Sequence, residues 1–281
     1  MRMLLCVGGM PYAEAAVGFG GMIARITRSA VTLLHAIRRK EDRATGESIL
    51  IAAREMLPGL AVNTRILRGD PTGRILAEAR DGGYDLVVVG ARQPNGLTQH
   101  LLGSVTQQII RRVPTSVLVA RQAGPSLGRV LICTSGADVA EPVIETGAWL
   151  AGAAHARTTL LHVSSPVPSM YTGLEEIEET LPELLQTDTP LARHLRRSAK
   201  ILSRRQVTAT LKQRHGVAAD EILREALEGN YDLIVIGASG TAGRLREWLL
   251  GNVTRQVVEH APCSVLVVKR AGVPSPTPEV A

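Results

Sequence analysis

The sequence predicts a duplicated α/β protein: two tandem open sheets of parallel strands, each flanked by helices. Two observations predict it. Blocks of sequence recur in the same order. Gly83-Tyr84-Asp85-Leu86-Val87-Val88-Val89-Gly90 returns 147 positions later as Asn230-Tyr231-Asp232-Leu233-Ile234-Val235-Ile236-Gly237. Leu33-Leu34-His35 returns after 127 positions as Leu160-Leu161-His162, and Val113-Pro114-Thr115-Ser116-Val117-Leu118-Val119 returns after 148 as Ala261-Pro262-Cys263-Ser264-Val265-Leu266-Val267. Self-similarity of this kind marks a repeated structural unit. Short apolar runs also alternate with longer amphipathic stretches, and several runs are continuously apolar. Strands covered on both faces read that way, and strand–helix alternation builds a parallel sheet through right-handed crossovers.

The first half carries strand-like runs near 3–7, 30–37, 61–67, 84–89 and 115–120, and the second near 129–134, 157–163, 207–212, 231–236 and 263–268. Asp70-Pro71-Thr72 predicts a helix over Gly73–Arg80, because an acidic cap followed by proline suits a first turn. Its counterpart is Glu221–Leu227, with Asp220 expected as the cap. The expected domains are 1–122 and 127–271, each long enough to bury a core. A short turn-prone joint, Gln122-Ala123-Gly124-Pro125-Ser126-Leu127-Gly128, links them, and 272–281 is expected to be a disordered tail.

Because the displacement grows from 127 to 147, the second half holds twenty additional residues between its second and third strands, near 165–190. The stretch 165–205 contains Glu175, Glu176, Glu178, Glu179 and Glu183, then a helix after Pro190 with Arg193, Arg196, Arg197, Lys200, Arg204 and Arg205. Two readings stay open: solvated helices of opposite charge, or a lid or partner surface over one edge.

Composition narrows the function. The net charge of +6 permits anionic partners. One Phe, two Trp and four Tyr are too few for the stacking platforms of single-strand nucleic-acid binders, and no zinc-finger or helix-turn-helix pattern occurs. No apolar run is long enough for a membrane span. The apolar start of the chain ends at Gly8-Gly9, which argues against a signal peptide. Three cysteines, two within apolar runs, suggest core thiols in a reducing compartment, so a cytoplasmic location is expected. No His, Cys or carboxylate spacing indicates a metal site or a catalytic constellation.

In an open parallel sheet, ligands bind beyond the carboxyl ends of the strands. The loop after the fourth strand runs from Gly90 through Gln93 to Gly103-Ser104-Val105-Thr106 in the first half. In the second it runs from Gly237 through Gly240 to Gly251-Asn252-Val253-Thr254. Glycines let backbone approach an anion, and a helix opening at Gly103 or Gly251 offers free N–H groups, with Ser104, Thr106, Asn252 and Thr254 as side-chain donors. Equally, the glycines could simply turn the chain while Ser104 or Asn252 caps the helix.

The duplicated Leu-Leu-His strand, the Tyr-Asp-Leu strand, the long glycine loop and the Pro-x-Ser-Val-Leu-Val ending together resemble the universal stress protein family. The resemblance covers nearly all of both halves and implies two tandem domains, each a five-stranded parallel sheet of order 3-2-1-4-5. It also implies pairing through the last strands, within the chain or in a homodimer. The ATP-binding branch of that family carries Gly-x2-Gly-x9-Gly-(Ser/Thr) in this loop and an Asp ending the first strand. Here the first half keeps the spacing with Gln93 at the second glycine. The second half keeps Gly237 and Gly240, with ten residues before Gly251 and then Asn252. The Asp position holds Gly8 and Ser135. The resemblance thus implies a non-enzymatic regulatory protein whose sites, Gly90, Gly103, Ser104 and Thr106, and Gly237, Gly240, Gly251, Asn252 and Thr254, would bind ATP or another nucleotide in degenerate form, with at most slow hydrolysis. The alternative is an interaction module or scaffold with vestigial pockets.

Overall fold

A computed structural model describes residues 1–9, 13–91, 102–121, 124, 126–164, 181–238 and 250–269. The expected tail 272–281, the acidic stretch from Glu175 to Glu179, and Gln93 and Gly240 lie outside the described residues.

The first half contributes β1 (Arg2–Cys6), α1 (Glu14–Ile26), β2 (Ala30–Ile37), α2 (Arg43–Glu55), β3 (Val62–Arg68), α3 (Pro71–Asp81), β4 (Leu86–Gly90), α4 (Ser104–Arg112) and β5 (Ser116–Ala120). The second contributes β6 (Arg129–Thr134), α5 (Glu141–Ala154), β7 (Arg157–Ser164), α6 (Leu181–Gln186), α7 (Pro190–Arg204), β8 (Ala209–His215), α8 (Ala218–Gly229), β9 (Leu233–Gly237), α9 (Asn252–His260) and β10 (Ser264–Val268). One sheet of ten strands results, in the order β3-β2-β1-β4-β5-β10-β9-β6-β7-β8. Pairing is parallel within each half, and β5 meets β10 antiparallel with Leu118 opposite Leu266. Each half therefore runs in the order third, second, first, fourth, fifth strand.

The continuous apolar runs explain the layering. In β1, Met3 and Leu5 enter one core cluster and Leu4 the other; in β4, Leu86 and Val88 part from Val87 and Val89 in the same way. Successive strand residues face opposite sides, so an unbroken run fills two cores at once. One core takes side chains from α1, α2, α5 and α7, and the other from α3, α4, α8 and α9.

Helix boundaries follow the sequence in part. Asp70 caps α3 by accepting the Gly73 N–H at 2.8 Å, with Pro71 at the first position. In α8 the cap is Val217, and Asp220 lies inside the first turn, where a carboxylate suits the helix dipole. α7 lies between the second and third strands of its half, as α2 does, so the basic helix belongs to the common plan and the surplus precedes it. Nor is α7 wholly solvated. His194, Leu195, Ser198 and Leu202 are buried, while Arg193 and Arg196 pair with Asp188 and Arg197 pairs with Asp138. Among the described residues no helix is long and apolar enough to cross a membrane.

Candidate functional site

Each half holds its candidate site where two neighbouring strands send the chain to opposite faces. β1 leads into α1 on one face and β4 into α4 on the other, so their carboxyl ends part and leave a cleft. β6 and β9 do the same in the second half. The first cleft encloses a cavity of about 400 Å³, walled by Cys6 at the end of β1 with Val7 and Gly8 beyond it, by His35 and Ala36 of β2, by Pro71 and Ile75 of α3, and by Gly90, Gly103, Ser104 and Thr106. The second, of about 440 Å³, is walled by Cys133, Thr134, Ser135, Val139, Val163, Ala218, Ile222, Gly237, Gly251, Asn252 and Thr254, among others. Both volumes suit a small molecule.

The glycine loops deliver the helices to these cavities as follows. Gly103 is the cap residue of α4, with φ −63° and ψ 149°, and Gly251 is the cap of α9, with φ −61° and ψ 153°. Ser104 and Asn252 are the first helical residues rather than the caps. Those dihedrals are open to any residue, so glycine here supplies the absence of a side chain. The first N–H groups of a helix have no intrahelical partner, and a glycine cap offers no oxygen to take them. Both helix starts therefore present backbone donors and a positive dipole end to the cavity.

The threonines have a different task from the one their position suggests. Thr106 Oγ1 donates to the Gly90 carbonyl at 3.1 Å, and Thr254 Oγ1 donates to the Gly237 carbonyl at 2.6 Å. Each ties the first turn of its helix to the end of the preceding strand. The hydroxyl hydrogens are used in that tether, and the ligand-facing donors are backbone groups together with Ser104 or Asn252.

Charge is sparse. Among the described residues no carboxylate lines either cavity. Burial pushes the Cys6 thiol up to about 12 and the Cys133 thiol upward as well, so both walls carry inert thiols rather than nucleophiles. His35 Nδ1 is 2.8 Å from the Val7 carbonyl, and His162 Nδ1 is 3.2 Å from that of Thr134. The repeated histidines thus brace the first strand of each half. The second half adds His194 of α7, whose Nε2 is 2.7 Å from Thr134 Oγ1. Burial pushes His162 and His194 below the ordinary histidine range, outweighing the pull of the Thr134 carbonyl on one and of Asp138 on the other. No cluster of three or more His, Cys, Asp or Glu placed to hold a metal occurs among the described residues.

Gly90, Gly103, Ser104 and Thr106 thus meet around one cavity, and Gly237, Gly251, Asn252 and Thr254 around the other. Sequence reasoning placed His35 and His162 in apolar strand runs as near-core histidines and did not assign Pro71, Ile75, Ala218 or Ile222 to the sites. His35 lines the first cavity, while His162 braces Thr134 beside the second. Their signal was available for the histidines, at the end of the second strand of a repeat. It was absent for the others, which arrive by a crossover.

A family model described as "Universal stress protein family" matches residues 1–121 and 127–269. A universal stress protein of Methanocaldococcus jannaschii is 31% identical over 142 residues, covering 50% of this chain and 82% of that protein. Universal stress protein E of Escherichia coli K12 is 23% identical over 211 residues, 71% of this chain and 65% of that one. Among solved structures, a universal stress protein of Archaeoglobus fulgidus superposes with a TM-score of 0.74 at 17% identity, covering 96% of this chain and 98% of that one. That last likeness speaks to the fold.

Proposed function

We propose that this chain, which belongs to the universal stress protein family, is a non-enzymatic stress-response regulator that binds a nucleotide such as ATP in the strand-end cavity of its first half. The observation that carries the reading is the start of α4. A glycine-capped helix opens onto a cavity of about 400 Å³, and Gly90, Gly103 and Ser104 stand at the family spacing. Backbone N–H groups of the first turn take phosphate oxygens, Ser104 adds a hydroxyl, and the apolar wall of Val7, Ile75 and Val89 accepts the base. Gly8, in place of the acidic residue, leaves the sugar without a charged partner, and affinity falls accordingly. Any hydrolysis is slow, since no carboxylate lines the cavity among the described residues to orient water or magnesium. The free thiols Cys6, Cys133 and Cys263 suit a reducing compartment such as the cytoplasm.

Gly103→Val tests the reading. The dihedrals at Gly103 are open to valine, and Gly103 lines the cavity, so a side chain there is expected to obstruct the approach of phosphate. Ligand-induced thermal stabilisation by ATP and Mg²⁺ is expected in the parent and absent in the variant. Equal behaviour of the two overturns the assignment. The missing carboxylates at Gly8 and Ser135 favour one second reading, an interaction module whose cavities are relics, and the absence of any ATP effect would leave that one standing.

A further inference from the structure

The two cavities share a plan, with Val105 in the first matching Val253 in the second, but they differ at the rim, where the first half has Asp70 and the second Val217. Among the described residues five large hydrophobic side chains are exposed: Ile51, Val139, Val217, Leu227 and Val253. Val139 and Val253 line the second cavity, and Val217 immediately precedes Ala218, which also lines it. Val217 is the most telling. It is 59% exposed and it caps α8, a position where valine is among the poorest residues. The same position in the first half is Asp70, whose carboxylate accepts the Gly73 N–H. At Val217 the chain gives up both a cap and a solvated surface. Two local disadvantages in one residue beside a cavity are what a binding requirement imposes.

The interior agrees with the rim. Val163 stands where the first cavity has Ala36, and Ile236 where it has Val89. Apart from the backbone donors at the start of α9, most side-chain oxygens of the wall are already occupied. The Thr134 hydroxyl is shared with His194 and with the Gly136 N–H at 3.2 Å, Thr254 donates to the Gly237 carbonyl, and Asn252 Oδ1 accepts from Arg255 at 3.1 Å. Among the described lining side chains the Ser135 hydroxyl and the Asn252 amide N–H groups stay uncommitted, and none is charged. A ribose would bring hydroxyls to an edge that offers them few partners. A hydrocarbon body would cover Val139 and Val253, extend toward Val217 beside Ala218, and release water.

We propose that the second cavity binds a small molecule with a hydrocarbon body, so that the two halves of this chain take ligands of different chemistry. The contrast rests on the nucleotide reading of the first cavity; the hydrocarbon site does not.

The probe is 1-octanol, an uncharged chain, titrated into the full-length protein and followed by methyl NMR. Saturable shifts are expected at Val139, Val253 and Ile236. Val217→Asp is expected to raise the melting temperature by a few degrees, by restoring a cap, while weakening octanol binding by about tenfold. Val139→Asp weakens binding similarly without the thermal gain. Both variants keep the ATP response of the parent, which separates this result from the fate of the nucleotide reading. The proposal is overturned by an absence of saturable shifts, or by unchanged affinity in both variants. Shifts confined to the first cavity, or to the groove between α4 and α9 where Ile110 and Val258 lie, overturn it too.

Discussion

Among the described residues no atom lies within 4 Å of where a Cβ on Gly8 would stand, so the described wall of the first cavity leaves room for the acidic side chain it lacks. Gly8→Asp is therefore expected to strengthen ATP binding by about ten- to a hundredfold, since a charge-assisted hydrogen bond contributes about 1.5–3 kcal/mol. Calorimetry checks this; unchanged affinity would mean that the ligand does not sit against the end of β1. Other repeated residues prove structural. Asp85 accepts the Arg2 N–H at 2.7 Å, and Asp232 accepts those of Gly128 and Arg129 at 2.8 Å, so each pins the start of its half's first strand. Tyr84 donates to Glu78 and Tyr231 to Glu225. Burial raises the Glu225 carboxyl, but bonds from Lys212, Tyr231 and Arg214 outweigh it and hold the group below the usual range. The histidines give a pH dependence. Burial keeps His162 and His194 neutral in the fold, whereas the unfolded chain takes up protons below pH about 6.5. The unfolded state then binds more protons, so stability falls as pH drops from about 7 to about 5, above the carboxylate range. Thermal unfolding across that window should show the decline, and a His162→Gln/His194→Gln double variant should flatten it.

At the scale of elements, the strands were the most legible part of the sequence. β2 and β6 match the expected runs, because an apolar run covered on both faces leaves little choice of register. Helix starts were less so. Asp70 reads as a cap and is one, but Asp220 reads as a cap and sits inside α8, because Val217 takes that position against local preference. Ser104 and Asn252 read as caps or ligands and prove to be first-turn residues behind glycine. The tether from Thr106 to Gly90 was invisible, since it depends on how a helix returns to its own strand. Thr106→Val and Thr254→Val are each expected to lower stability by about 1 kcal/mol, the net worth of one hydrogen bond. Denaturant unfolding measures this, and no loss in either variant would show that the tether is idle. The basic helix misled for another reason. Its arginines dominate a reading by charge, while the buried stripe of Leu195, Ser198 and Leu202 decides where α7 packs.

The whole molecule is held together by an exchange between its halves. Arg121, just past β5, donates to the Val258 and Glu259 carbonyls at the end of α9, at 2.6 and 3.0 Å. Lys269, just past β10, donates to the Val113 carbonyl at the end of α4, at 2.6 Å. Each half thus satisfies a helix C-terminus of the other with a cation, where the dipole favours one. Burial opposes both charges, bringing Arg121 down to about 10 and Lys269 to about 8. Arg121→Met should lower the free energy of unfolding by about 1.5–3 kcal/mol. A variant as stable as the parent would show that the β5–β10 pairing alone holds the seam. Because both fifth strands lie inside the sheet, a second copy of the chain finds neither of them open.

The most direct test is a calorimetric titration of the full-length chain with ATP and Mg²⁺ at physiological salt, run beside Gly103→Val and Gly251→Val. One site per chain is expected, lost in Gly103→Val and kept in Gly251→Val. No heat and no thermal stabilisation in the parent, or binding untouched by Gly103→Val, would contradict the claim that the first strand-end cavity is a nucleotide site.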